Sequence, residues 1–424
     1  MNVCSFSFLI SILVLSSAIF FLPCGLPRQF LRAVCNAVFL SLVIPNLASW
    51  IVLAIFLLSG FAVAAGLRRV KTPNGRTLFL GGYFTILLIS FLVLKEYRFL
   101  GPLVPPGSVS RWVSIVGLSY MLFRQIHFII QSTPDDAQSP SLWAYMNYQL
   151  DLFTLYAGPI QRFKEFQTDW DSTRPVLNDA HDRRIAYARI LWGMIKVSYI
   201  GAMLLELTTR VSAKPLYINQ SKDVLKFVTL FYAYPAFVYF NFSGYCDIVV
   251  AGSALIGARL PENFNRPYLA RNNIDFWARW HMTLTHWIRD YVFAPLYKVS
   301  VERWPQHAKQ SIYFCFFLSL LLAGVWHGSS WNFVIFGLLH GAGVSIAKAW
   351  EEMIIRHRKR AGLREYLKSR WIRVIATVIT INFVCFTFLF FPPDLQGRVH
   401  FLRVFVAGNS AATGLSSVDQ STVK

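Results

Sequence analysis

Two histidines stand where an imidazole is costly to keep. His327 lies in Gly324-Val325-Trp326-His327-Gly328-Ser329-Ser330-Trp331, between two apolar runs. Glycines on both sides of the Trp-His pair permit close backbone approach or a break in a helix. An ionisable group at membrane depth is tolerated chiefly where it faces a cavity or a partner. With an ordinary pKa near 6.5, an imidazole can take the proton of an attacking hydroxyl, worth about 10²–10⁴-fold in rate. His281 lies in DFWARWHMTLTHWIRDY, Asp275 to Tyr291. Read as one helix, that stretch puts Trp277, Trp280, His281, Leu284, Trp287, Ile288 and Tyr291 on one face. Asp275, Arg279, His286, Arg289 and Asp290 fall on the other. His286 and Asp290, four apart, are placed to form an ion pair. Such a helix lies in the interface or re-enters the protein. His340, in Leu338-Leu339-His340-Gly341, and His286 read as packing or solvated histidines. Ser329 and Ser330 beside His327 make no nucleophile, because neighbouring helical side chains diverge and no acid partner is evident. No HxxxH or HExxH spacing occurs, so no metal site is expected.

The elements that must position these groups are apolar. Of 424 residues, 55% are hydrophobic, 16% aromatic and only 15% charged, with mean hydropathy +0.45. A soluble surface needs roughly a quarter of residues charged. Apolar segments fall near 3–22, 33–67, 78–94, 111–130, 185–208, 224–240, 244–258, 311–323, 331–347 and 371–391. Each helix crossing lipid needs about 20 residues, and short alternating barrel strands are lacking. The expectation is an all-α polytopic membrane protein with about ten or eleven membrane segments. The second segment is too long for one span, and Pro45 is placed to kink or split it. The opening run, Val3 to Leu22, lacks a basic n-region and a small-residue cleavage site, and reads as a retained span. No internal repeat is visible, which disfavours transporters built from duplicated halves. The stretch Ser132 to Pro140 reads as a loop. One membrane-embedded domain is expected over 1–408, with a disordered tail over 409–424.

Lys and Arg number 41 against 21 Asp and Glu, a formal charge of +20. The bases sit in loops between apolar runs, as at an anionic leaflet. Arg68, Arg69, Lys71 and Arg76 form one cluster; Arg356, Arg358, Lys359, Arg360, Arg364, Lys368, Arg370 and Arg373 form another. Nucleic acid is not an expected partner, for want of an aromatic-interleaved basic domain or zinc-finger spacing. The six cysteines form no CxxC pair, and most read as small buried hydrophobes. Two stretches depart from a span-and-loop scheme, Phe153 to Trp170 and Arg259 to Tyr297. Irregular polar backbone near membrane depth persists only where protein or a wet cavity satisfies it, so both are candidate site-formers.

Several blocks in order resemble the membrane-bound O-acyltransferase (MBOAT) family. They are Gly117-Leu118-Ser119-Tyr120 with Phe123-Arg124, Ala157-Gly158-Pro159-Ile160-Gln161-Arg162-Phe163, and Asn241-Phe242-Ser243-Gly244-Tyr245. Then come PENFNRPY (Pro261 to Tyr268), FWARWHMTLTHWIRDYVF (Phe276 to Phe293), GVWHG and LLHG. The match covers about residues 115 to 390 and is similar to the bacterial branch with teichoic-acid D-alanylation transferases and alginate O-acetylases. Chain length, the RFKEF continuation after GPI and the long basic loop before a final span sit closer to the D-alanylation type. PENFNRPY is shared with the alginate type.

The resemblance implies helices around a funnel or tunnel, with two catalytic histidines, His327 and His281, near its narrow point. Trp326, Trp277, Trp280, Arg279, Arg289, Asp290, Asn241, Ser243 and Tyr245 are expected to bind substrate or line the tunnel. One departure is His286, where relatives commonly carry serine. The implied activity is transfer of a short acyl group, D-alanyl or acetyl, by a multi-pass protein of the bacterial inner (plasma) membrane. The donor would be a cytoplasmic thioester, on a carrier protein's phosphopantetheine or on coenzyme A, with no bound cofactor. The acceptor would be a hydroxyl of an extracytoplasmic glycan, cell-wall polymer or relay protein. Implied partners are membrane lipids, an acyl-carrier protein and an extracytoplasmic acyltransferase or relay protein. The Arg356 to Arg373 cluster suits either an acidic carrier or anionic lipid. Two other classes fit the polytopic architecture: a transporter or flippase of a lipid-linked sugar or acyl group, and a non-catalytic scaffold for a partner acyltransferase.

Overall fold

The computed structural model describes residues 25–391 apart from 71, 133–140, 173–175, 178 and 213–220, together with Val14, Leu15, Ala18, Leu22 and Pro23. The expected first span over 3–22, most of the 132–140 loop and the tail from Asn409 lie outside the described residues. Regular structure among the described residues is helical, with one isolated bridge between Phe264 and Trp280. Six helices there are long and apolar enough to cross a membrane: Leu47–Leu67, Pro73–Leu94, Ala180–Val211, Pro305–His327, Trp331–Leu363 and Arg370–Phe388.

The long apolar run splits at Pro45, as expected. Helix α1 (Leu26–Val43) stops at Ile44, which is extended, the conformation favoured before a proline. Asn46 then caps α2 (Leu47–Leu67), accepting the Ser49 N–H at 2.9 Å. Helix α3 (Pro73–Leu94) starts with proline in its first turn behind a Thr72 cap. Ile51, Ile55, Leu78 and Ile86 point outward from α2 and α3, a surface suited to lipid rather than water. The segment near 111–130 is helical only from Leu118, as α4 (Leu118–Gln131). Its entry needs Gly117, whose φ is 78° and whose Cβ would collide with the Leu155 carbonyl.

The chain divides into two compact units. The first comprises Met1–Met194, Ser243–Pro267 and Trp277–Cys315. In it α1, α2 and α4 pack with α5 (Leu142–Gln149), α6 (Leu152–Leu155) and α7 (Phe163–Trp170). Their shared core is aromatic: Phe128 meets Tyr145 at 4.4 Å and Phe163 at 4.9 Å between ring centroids. The second unit comprises Ile195–Phe242, Tyr268–Phe276 and Phe316–Lys424.

Helix α8 (Ala180–Met194) leads through a π-helical stretch, Ile195–Gly201, into α9 (Ala202–Ser212). The segments near 224–240 and 244–258 are one helix, α10 (Ser221–Leu255), which carries Pro235 inside it. The Asn241 to Gly244 stretch does not break it. A Cβ at Gly193 would lie 2.6 Å from the Gly244 carbonyl oxygen, so bare backbone is needed for this approach. After the short α11 (Asn273–Trp277) come α12 (Met282–Ile288) and α13 (Ala294–Arg303). Helix α14 (Ala308–His327) and α15 (Trp331–Lys368) meet through glycine, because a Cβ on Gly324 would lie 2.5 Å from the Gly337 Cα. Lys359, at φ 55°, breaks α15 near its end, and α16 (Arg370–Phe388) follows.

Candidate active site

The stretch expected to be one helix from Asp275 to Tyr291 is three pieces. It ends at Trp277, and Trp280 instead pairs by main chain with Phe264. The Asn265 N–H donates to the Arg279 carbonyl at 2.9 Å and the Met282 N–H to the Asn263 carbonyl at 2.9 Å. These long-range bonds outcompete the helical ladder, and His281 adopts φ 45°, ψ 52° before α12 begins. The inside-outside division expected of that helix holds only in part, because Tyr291 of its apolar face and Asp275, Arg279 and Asp290 of its polar face are all half-buried. Trp277, Trp280, His281, Leu284, Trp287 and Ile288 are buried, while His286 and Arg289 are exposed. Helical and bent paths both turn alternate groups of residues inward, and the apolar ones take the core.

His281 is 1% exposed, with its Nε2 3.5 Å from the Tyr120 hydroxyl. Asn263, fully buried, accepts from the Thr283 N–H at 3.2 Å and the Thr283 hydroxyl at 2.7 Å. Thr283 Oγ1 in turn accepts the Ile160 N–H at 3.0 Å. Trp280 stands edge-on to Phe264 at 5.1 Å, and the Arg279 guanidinium donates to the Asn265 carbonyl at 3.4 Å. The GPI stretch is thus tied to the His281 segment by the bond from the Ile160 N–H to the Thr283 hydroxyl. Gln161, next along, is held as well: Tyr148 donates to its carbonyl at 2.8 Å, and its side chain donates to the Arg259 carbonyl at 2.7 Å. Tyr245 is buried and holds this stretch, accepting the Ala157 N–H and donating to the Phe153 carbonyl. Ser243 is buried, and its Oγ has no hydrogen-bond partner among the described residues.

The expected His286–Asp290 ion pair does not form. The Asp290 carboxylate is taken by Arg162 and by Arg289, the latter at 2.8 Å. Partial burial alone would raise its pKa, but hydrogen bonds from Arg289 and Arg162 hold it below the ordinary carboxylate value. Beside it, burial and then the Arg289 charge push the His286 imidazole below its usual pKa. Arg162, His286, His127, Thr283 and Gln161 border a cavity of about 60 Å³. His127 accepts the Phe163 N–H at Nε2, so Nδ1 carries its proton and donates to Tyr291.

In the second unit, His327 is the last residue of α14 and is half-buried. Its ring centroid lies 4.8 Å from Trp326, 5.2 Å from Phe391 and 6.2 Å from Phe336. The imidazole makes no hydrogen bond among the described residues. His340 differs: it is fully buried, 2.9 Å from Thr387 Oγ1. That hydroxyl spends its single proton on the Val384 carbonyl, so His340 Nε2–H is the donor. His340 is thereby a hydrogen-bonded core residue. Asn241 is exposed on α10.

Among the described residues no group of three or more His, Cys, Asp or Glu is arranged to hold a metal ion. Residues the sequence reading passed over are Tyr120, Asn263, His127 and Arg162. Tyr120, Asn263 and Arg162 stood inside the quoted motifs, so a signal existed, but none showed which side chain each would meet. Arg124, also in a motif, is buried and donates to the Tyr148 and Gln149 carbonyls at 2.6 and 3.0 Å.

The family model described as MBOAT, membrane-bound O-acyltransferase family, matches residues 50–390. The chain is 30% identical to the teichoic acid D-alanyltransferase of Streptococcus thermophilus over 289 residues, 66% of this chain and 68% of that protein. It is 28% identical to the teichoic acid D-alanyltransferase of Bacillus subtilis over 346 residues, 80% and 82% of the two chains. A probable alginate O-acetylase of Azotobacter vinelandii is 30% identical over 249 residues, 58% of this chain and 47% of that protein.

Proposed function

The chain belongs to the membrane-bound O-acyltransferase family and is a multi-pass membrane acyltransferase, and on that premise we propose that it moves a D-alanyl or acetyl group from a thioester to a hydroxyl. The acceptor is a glycan, cell-wall polymer or relay protein outside the cytoplasm. The donor is carried by phosphopantetheine on a carrier protein or by coenzyme A, and the membrane is the bacterial inner membrane. Support for these acyl groups comes from the names of the relatives, which are D-alanyl and O-acetyl transferases.

His327 is the general base. The observation carrying this role is a half-buried imidazole with aromatic walls and no hydrogen bond to the described chain, so both ring nitrogens remain available. It takes the hydroxyl proton as the oxygen attacks the thioester carbonyl carbon. The C–S bond breaks, and the proton passes from the imidazolium to the leaving thiolate. A thioester is already activated, so the protein mainly aligns reactants and excludes water. The reading requires reactants to reach His327 from both membrane faces, which is the part a funnel would play. His281 is proposed to orient or polarise the reactants, with its position set through Asn263 and Thr283.

His327→Ala is expected to abolish acylation of envelope glycans, measured by mass spectrometry, while membrane insertion stays intact. Acylation near the normal level in that variant overturns the general-base role.

A further inference from the structure

A cavity of about 490 Å³ lies in the second unit, bordered by α15, α16 and the Arg271 to Asn273 stretch. Its lining is mainly hydrocarbon, and it is open rather than enclosed. Ile346, Trp350, Ile375 and Ile379 line it and are exposed. Helices α15 and α16 include two of the candidate spans, and where these cross a bilayer their exposed apolar residues meet lipid. From Arg373 to Phe383, both in the lining, α16 advances ten residues, or about 15 Å. That is half the roughly 30 Å hydrocarbon core, the depth of one leaflet.

The end near the α15–α16 turn is cationic and aromatic. Residues 356–373 contain eight Lys and Arg against one Glu. Trp350 donates its indole N–H to the Tyr366 hydroxyl at 3.3 Å, an amphipathic pair of the kind found at a membrane interface. Other charges in the lining are compensated within the chain: Glu351 pairs with Lys348 at 3.0 Å and Arg271 with Asp275 at 3.7 Å. Arg373 is exposed and has no ion pair among the described residues. An elongated apolar slot with a cation at its interface end matches an amphiphile with an acidic head.

We propose that this slot between α15 and α16 is a binding site for an anionic glycerophospholipid, one acyl chain lying along Ile375 and Ile379 and the phosphate on Arg373. A carrier-protein arm would enter from water along the helices and would not require a wall open to lipid. Exposure of the apolar lining therefore favours lipid over carrier.

The test uses the full-length protein in phosphatidylcholine nanodiscs containing phosphatidylglycerol, with retained lipid counted by native mass spectrometry. Wild type is expected to retain phosphatidylglycerol preferentially. Arg373→Gln removes the phosphate partner and should lower that preference about fivefold. Ala376→Trp fills the slot and should lower total retention of phosphatidylglycerol; if it fails to fold, Arg373→Gln still decides the matter. Equal retention of both lipids by wild type, or an undiminished preference in Arg373→Gln, overturns the proposal. So does intact lipid retention in Arg373→Gln together with lost binding of an acidic acyl-carrier protein, which assigns the surface to the carrier.

Discussion

Asn263 accepts two hydrogen bonds from Thr283, one from its backbone N–H and one from its hydroxyl, at 3.2 and 2.7 Å. The pair joins residues twenty apart and stands two positions after His281, so it governs where that imidazole can sit. His281 holds a left-handed backbone conformation that costs about 1–3 kcal/mol for a non-glycine residue. Such a conformation persists only when its surroundings over-determine it, and Asn263 is a principal part of those surroundings.

Asn263→Ala is therefore expected to cost about 1–3 kcal/mol, because the Thr283 groups lose their acceptor in a buried place. Thr283→Ser keeps the hydroxyl and should stay within about 1 kcal/mol of wild type. Thermal unfolding in detergent checks both. Acyl transfer measured per folded molecule should fall in Asn263→Ala and remain near normal in Thr283→Ser.

Gly324 and Gly337 let α14 and α15 approach closely just before His327. Gly324→Val puts a branched side chain into that contact, where overpacking typically costs about 1–3 kcal/mol. A lower unfolding temperature, together with loss of transfer, is the expected result. Wild-type stability in this variant would show that the contact does not hold the helices.

Arg32 and Asp151 form a buried ion pair at 3.3 Å, each side chain 6% exposed, and the guanidinium also stacks over Trp170 at 5.0 Å. Asp151→Leu alone leaves a buried, unpaired cation and should cost about 3–5 kcal/mol. Arg32→Met together with Asp151→Leu should recover much of that loss. A double-mutant cycle on unfolding free energies is the measurement, and additive costs would contradict a coupled pair.

Glu96 reports on the loop after α3. Its carboxylate accepts backbone N–H groups of Ser110 at 2.9 Å, Gly107 at 2.8 Å and Val109 at 2.7 Å. These bonds, Ser110's first, hold its pKa at about 2, below the 4.5 of a free glutamate. The shift is downward, so the ionised form stabilises the folded loop. That stabilisation is present above pH 4.5 and is lost as pH falls toward 2. Protection of the residue 107–110 amides, taken relative to their intrinsic exchange rate at each pH, should fall across that window, and Glu96→Gln should be less protected at neutral pH with little further loss on acidification.

Local sequence determined the helical membrane class, the split at Pro45 and the inward set Trp277, Trp280, His281, Leu284 and Trp287. Each follows from local rules, namely the length of an apolar run, the restriction before proline and the demand that large apolar groups leave water. The ordered motifs determined the family, because they mark this chain without reference to its shape. Only the tertiary structure decided that the His281 segment is bent. The rival to its helix is pairing with Asn263 to Asn265, fourteen or more residues away, and propensity along a window carries no term for such a partner. The same limit explains Asp290, which lay four residues from His286 on paper but bonds Arg162, 128 residues distant. It also separates the two glycine-flanked histidines. His340 is anchored by Thr387 from another helix, whereas His327 finds no such donor or acceptor among the described residues.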